Sequence, residues 1–159
     1  MHDIARYKWQ KLKSRHWNPV VLSTPDASGE KGSMTISKIQ QVMDEQVNLE
    51  IAVLVGSQTE GRALPESDWD IAIQWTREIT MCDSLVNTET LRRNLAKALR
   101  IGENLVDLID LPRAGLTMRA MVAEEGIPLK GEDSLPWNHF LGRTWRELEA
   151  FEWERQHAT

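Results

Sequence analysis

The stretch "VLVGSQTEGRALPESDWDIAI", Val53 to Ile73, limits the possible folds more than any other part of this chain. One apolar run stops at a Gly-Ser pair, ten residues follow, and a second run opens with two aspartates flanking a tryptophan. The first run, "LEIAVLV" (Leu49 to Val55), is short, β-branched and apolar on both faces, the pattern of a buried strand. The second, residues 68–75, alternates. Trp69, Ile71, Ile73 and Trp75 share one face, and Asp68, Asp70, Ala72 and Gln74 share the other.

Helices are expected on either side of these strands. Ile36, Ile39, Val42, Met43 and Val47 recur at helical spacing. A second helix is expected over 88–100, with Leu91, Leu95, Ala98 and Leu99 inward and Asn87 or Thr88 as its cap. "LVDLIDL", Leu105 to Leu111, reads as a third strand. Pro112 is expected to open a helix ending before Gly126. A last helix is expected from about Leu135 to Gln156, with Phe140, Leu141, Trp145, Leu148 and Phe151 at helical spacing. The order is α, β, β, α, β, α, α, an α+β fold around a small mixed sheet.

The length of 159 residues suits one domain. The segment from Ser23 to Ser33, "STPDASGEKGS", reads as linker. Residues 1–33 are therefore expected to be an extension or linker, either ordered or a flexible tail, before a domain over 34–159. Net charge is −5; residues 1–33 carry +3, which leaves −8 for the remainder. That balance gives no general case for nucleic-acid binding and would suit a basic protein partner. The single cysteine, Cys82, excludes an internal disulfide and fits a reducing compartment. No apolar run approaches the ~20 residues of a membrane-spanning helix, so the expected location is cytoplasmic. Four of the seven tryptophans (Trp9, Trp17, Trp137 and Trp153) lie in polar surroundings, outside the evident core segments. Histidines 2, 16, 139 and 157 are scattered and read as surface residues.

Strand geometry places the Asp68 and Asp70 side chains about 6–7 Å apart on one face. Such like charges repel unless a cation sits between them. Hard divalent ions such as Mg²⁺ suit carboxylate oxygens and keep water or phosphate oxygens as their other ligands. Gly56-Ser57, at the end of the preceding strand, lets a phosphate approach the backbone and adds a hydroxyl and N–H groups. Phosphate cradle and carboxylate pair together are the minimum equipment for metal-assisted phosphoryl or nucleotidyl transfer. A third acid comes from the 105–111 strand, where Asp107 and Asp110 have opposite phases and only one can face Asp68 and Asp70. Asp107, central in the strand and in phase with Ile109 and Leu111, is the better placed. Asp110, just before Pro112, suits a helix cap.

Gly56-Ser57, ten residues, then Asp68-x-Asp70 resembles the signature of the polymerase-β-like nucleotidyltransferase superfamily. The short length, and "VDLIDLPRAG…EEGIPL" downstream, resemble its minimal nucleotidyltransferase (MNT) group. The resemblance covers roughly Ile36 to Leu129. It implies ATP phosphates at Gly56 and Ser57, with Arg62 of the loop reaching them or remaining a solvated cation. It implies Mg²⁺ at Asp68 and Asp70, with Asp107 completing the metal site or helping to deprotonate the acceptor. It also implies an antitoxin that transfers AMP from ATP to a tyrosine of a HEPN-domain ribonuclease toxin. Two alternatives stand beside this one. The first is a non-catalytic antitoxin acting by binding. The second is a small-molecule nucleotidyltransferase of the aminoglycoside-resistance kind, for whose acceptor domain the chain has no evident room. Trp153, among charged neighbours on the last helix, is assigned either to partner contact or to packing.

Overall fold

The structure, a computed structural model, describes residues 29–59 and 66–158, with side chains from residue 34 onward. In chain order its elements are α1 (Gly29–Asp44), β1 (Leu49–Val55), β2 (Trp69–Trp75), α2 (Met81–Leu99), β3 (Val106–Asp110), α3 (Leu116–Glu125), β4 (Ile127–Lys130) and α4 (Leu135–His157). The four strands form one sheet in the order β3-β2-β1-β4. β1 runs antiparallel to both β2 and β4, and β2 runs parallel to β3. The expected α+β fold with a mixed sheet is therefore present.

Both faces of the sheet are covered, which is why β1 is apolar from Ile51 to Val55. Ala52 and Leu54 of β1 join Ile71 and Ile73 of β2 under Ile39 and Met43 of α1 and Leu91 and Leu95 of α2. Ile51, Val53 and Val55 join Ala72 on the opposite face, under Val122 and Ala123 of α3 and Phe140, Leu141 and Trp145 of α4. A register irregularity between Leu49 and Ile51 moves Leu49 to the first face, against strict alternation.

Several expectations need correction. α1 begins at Gly29, inside the stretch read as linker; residues 1–28 lie outside the described residues. α2 begins seven residues before the expected start, so its cap is neither Asn87 nor Thr88. Thr80 caps it: its Oγ accepts from the Asp83 N–H at 3.1 Å and donates to the Asp83 carboxylate at 2.7 Å. The first two turns escaped the periodicity reading because Met81, Leu85 and Val86 are exposed there. Thr88 is instead mid-helix and accepts from the Trp75 indole N–H at 2.9 Å, tying β2 to α2. Cys82 lies inside α2 and is exposed.

Pro112 sits in a single 3-10 turn, Leu111–Arg113, and the α-helix opens later, at Leu116 behind Gly115. Asp110 makes no side-chain cap; it pairs with the Arg113 guanidinium at 3.4 Å. β4, "IPLK", was not expected, because a proline argues against a central strand. β4 is an edge strand, where Pro128 is tolerated beside Val53. Trp137 is only 9% exposed and packs against Phe140 with ring centroids 5.2 Å apart, so it belongs to the core. Trp153 is 58% exposed and stacks on His157. Among the described residues no helix is long and apolar enough to cross a membrane.

Candidate active site

The site lies where β1 ends and β2 and β3 begin. Antiparallel pairing sets Val55, the last residue of β1, opposite Asp70. Parallel pairing sets Asp70 beside Asp107. Residues paired across a sheet project to the same face, so these two carboxylates stand side by side. Asp68 immediately precedes β2 and is exposed, while Asp70 is half-buried. The other face of β2 carries Trp69, Ile71 and Ile73 into the core, so the acids are presented by an anchored strand.

The register also separates the two aspartates of β3. Asp107 falls on the Asp70 face, as do Ile109, opposite Ala72, and Leu111 in the core beyond. Asp110 is paired with Ile73, on the opposite face.

Gly56 follows β1 with φ +77, the left-handed region that glycine enters without strain. A Cβ at this position would stand 2.5 Å from Asp70 Oδ2. The missing side chain is what allows backbone and carboxylate to approach so closely. Gly56, Ser57 and Gln58 form a 3-10 turn, whose leading N–H groups have no partner within the turn. Thr59 closes it, its N–H and hydroxyl both donating to the Gly56 carbonyl, at 3.0 and 2.6 Å. Gln58 donates to the Ser67 carbonyl at 3.4 Å and so clips together the two ends of the intervening loop. Residues 60–65 of that loop, Arg62 among them, lie outside the described residues.

Electrostatics mark Asp70 as the centre of the group. Its carboxyl is pushed above the usual value, first by burial, then by the Asp107 charge, then by Asp68. A cation at this face would offset the two charge repulsions and favour the ionised carboxylate. Among the described residues no three Asp, Glu, His or Cys side chains converge as closely as an all-protein metal cage requires. Magnesium is usually held by one or two carboxylates with phosphate and water oxygens supplying the rest. The donor set fits that mode: hard oxygens only, two of them adjacent in register and the third on the flank. The Gly56–Asp70 contact was not evident in the sequence; the signal for it was a glycine one residue past a strand whose partner carries the acid.

A glycine turn beside a carboxylate face, on a mixed sheet with helices on both sides, is an arrangement compatible with nucleotidyl transfer. The sequence matches the family described as Polymerase beta, Nucleotidyltransferase over residues 37–135, and the chain belongs to that family. Among solved structures, a chain of a toxin–antitoxin complex with AMP-PNP is similar, with 26% identity and a TM-score of 0.58, covering 76% of this chain and 92% of that one. A chain of the tri-AMPylated Shewanella oneidensis HEPN toxin in complex with MNT antitoxin is similar at 25% identity and a TM-score of 0.55, covering 79% and 92%. A chain of the MntA–HepT toxin–antitoxin is similar at 25% identity and a TM-score of 0.53, covering 77% and 92%. No curated protein sequence matches the chain.

Proposed function

We propose that this protein is an antitoxin that transfers AMP from ATP to a tyrosine hydroxyl of a HEPN-type ribonuclease partner, in a Mg²⁺-dependent reaction. The observation that carries the reading is the in-register Asp70–Asp107 pair beside Gly56. The similar structures support the choice of acceptor, since one holds an AMPylated HEPN toxin with an MNT antitoxin. Another holds the ATP analogue AMP-PNP. The −8 carried by residues 34–159 suits a basic partner. An ATP-consuming enzyme with one exposed thiol fits a cytoplasmic setting.

In this reading the Gly56–Gln58 turn and Ser57 hold the outer phosphates, with Arg62 reaching them from the loop. Asp68 and Asp70 would hold magnesium, which would supply charge neutralisation at the phosphates. The acceptor oxygen attacks the α-phosphorus, its bond to the bridging oxygen breaks, and pyrophosphate leaves. Asp107, exposed on the outer strand, either completes that metal site or takes the acceptor's proton.

The test is transfer from ATP to the co-purified partner. Label from α-labelled ATP should appear on the partner and label from γ-labelled ATP should not. No α-label on the partner, or γ-label in its place, would contradict the reading.

A further inference from the structure

Asp70 lies at one end of the sheet. Arg77, two residues beyond β2, lies at the other, after about 17 Å of strand from Asp70 to Trp75. There a cavity of about 620 Å³ opens between the turn after β2 and helix α4. Arg77, His139, Arg143 and Arg146 line it, and Glu149 is the one acid on its wall. Positions 139, 143 and 146 follow the i, i+4, i+7 spacing that places side chains on one helix face. Trp145, 5% exposed, closes the inner side.

Among the described residues, the arginines that pair with acids are Arg92, Arg93, Arg113 and Arg119, not the three around the cavity. Arg143 acts on the Glu147 charge only at longer range. Its Nε is enclosed without a hydrogen-bond partner, and the residue lines the cavity. Three guanidiniums around one space repel each other unless an anion lies between them, and this concentration occurs in a chain of net charge −5. Guanidinium forks match phosphate oxygens in pairs. The volume falls within the range of about 300–1,000 Å³ typical of small-molecule sites.

We propose that this cavity is a second anion site, separate from the carboxylate site, which binds a small polyphosphate: free pyrophosphate or the phosphate chain of a nucleotide. The site needs no divalent metal, because arginine supplies the positive charge.

The test is calorimetric titration of the full chain, in EDTA, with inorganic pyrophosphate and separately with ATP. Wild type should bind pyrophosphate, and R77A/R146A should bind it at least about tenfold more weakly. Both side chains are exposed, so the double variant should melt like wild type. Its rate of AMP transfer should stay within about twofold of wild type, and Asp70→Asn should leave pyrophosphate binding unchanged. ATP binding more tightly than pyrophosphate, with the same loss in the double variant, assigns the phosphates to a nucleotide; the reverse order assigns them to the free anion. Three results would overturn the proposal: no binding to wild type, equal binding to the double variant, or loss of binding in Ser57→Ala instead.

Discussion

Asp70 and Asp107 are register partners on adjacent parallel strands, and the charge of Asp107 helps hold the Asp70 carboxyl above its ordinary value. The sign of the linkage follows. A carboxyl whose pKa is higher folded than unfolded makes the native state bind more protons than the unfolded one. Its ionisation therefore costs stability, and the loss develops as pH rises from the unfolded pKa through the raised native one. Asp70→Asn should thus melt higher than wild type at neutral pH in EDTA, with the difference shrinking below the ordinary carboxylate range. Thermal melts of both proteins across pH give the answer. A variant less stable than wild type at neutral pH would count against the crowded-carboxylate description.

The opposite pH signature is expected of Glu147. It accepts a hydrogen bond from Arg119, a residue of α3 only 8% exposed, whose Nε also donates to the Ala114 carbonyl at 3.1 Å. That hydrogen bond, followed by the Arg119 and Arg143 charges, holds the Glu147 carboxyl below its usual value. The native state here binds fewer protons, so the stabilisation is complete above the unfolded pKa and is lost as pH falls through the native one. Glu147→Gln should be less stable than wild type at neutral pH and converge with it in acid. A constant offset across pH would mean that the cost is one of packing, not charge.

Gly56→Ala places a methyl group in the left-handed region, 2.5 Å from Asp70 Oδ2. The backbone cost is about 1–2 kcal/mol, and the carboxylate must move as well. The transfer rate should therefore fall further than stability does. A double-mutant cycle with Asp70→Ala checks the contact: the structure predicts that the two stability effects are non-additive, because removing the carboxylate leaves room for the added methyl. Strict additivity would mean that the contact is not made.

Thr80→Ala removes the cap of α2 and should cost about 1 kcal/mol, read as a shift in denaturation midpoint. No shift would place the start of the helix nearer residue 88, where the sequence alone put it.

That boundary shows where sequence reading succeeds and where it stops. β1 and β2 were legible because period two and continuous apolar character both report burial on the sheet. The placement of Asp70 and Gly56 at adjoining strand ends was legible because it is local to those two strands. The start of α2 was not, because Met81, Leu85 and Val86 are exposed and carry no periodic signal. β4 was hidden by Pro128, which is compatible with an edge strand only, and edge position is a property of the whole sheet. The choice between Asp107 and Asp110 depended on strand phase, which gave a preference; the pairing of Asp70 with Asp107 adds the neighbour itself. Trp137 looked polar in sequence because its immediate neighbours are, yet the side chain packs on Phe140 in the core.

The central claim is that nucleotidyl transfer runs on the face shared by Asp70 and Asp107. The most direct measurement is the rate of label transfer from α-labelled ATP to the partner by Asp107→Asn and Asp110→Asn, side by side. Asp107→Asn should lose about a hundredfold or more, while Asp110→Asn, on the opposite face and paired with Arg113, stays within about threefold of wild type. A wild-type rate in Asp107→Asn, or a collapse confined to Asp110→Asn, would contradict it.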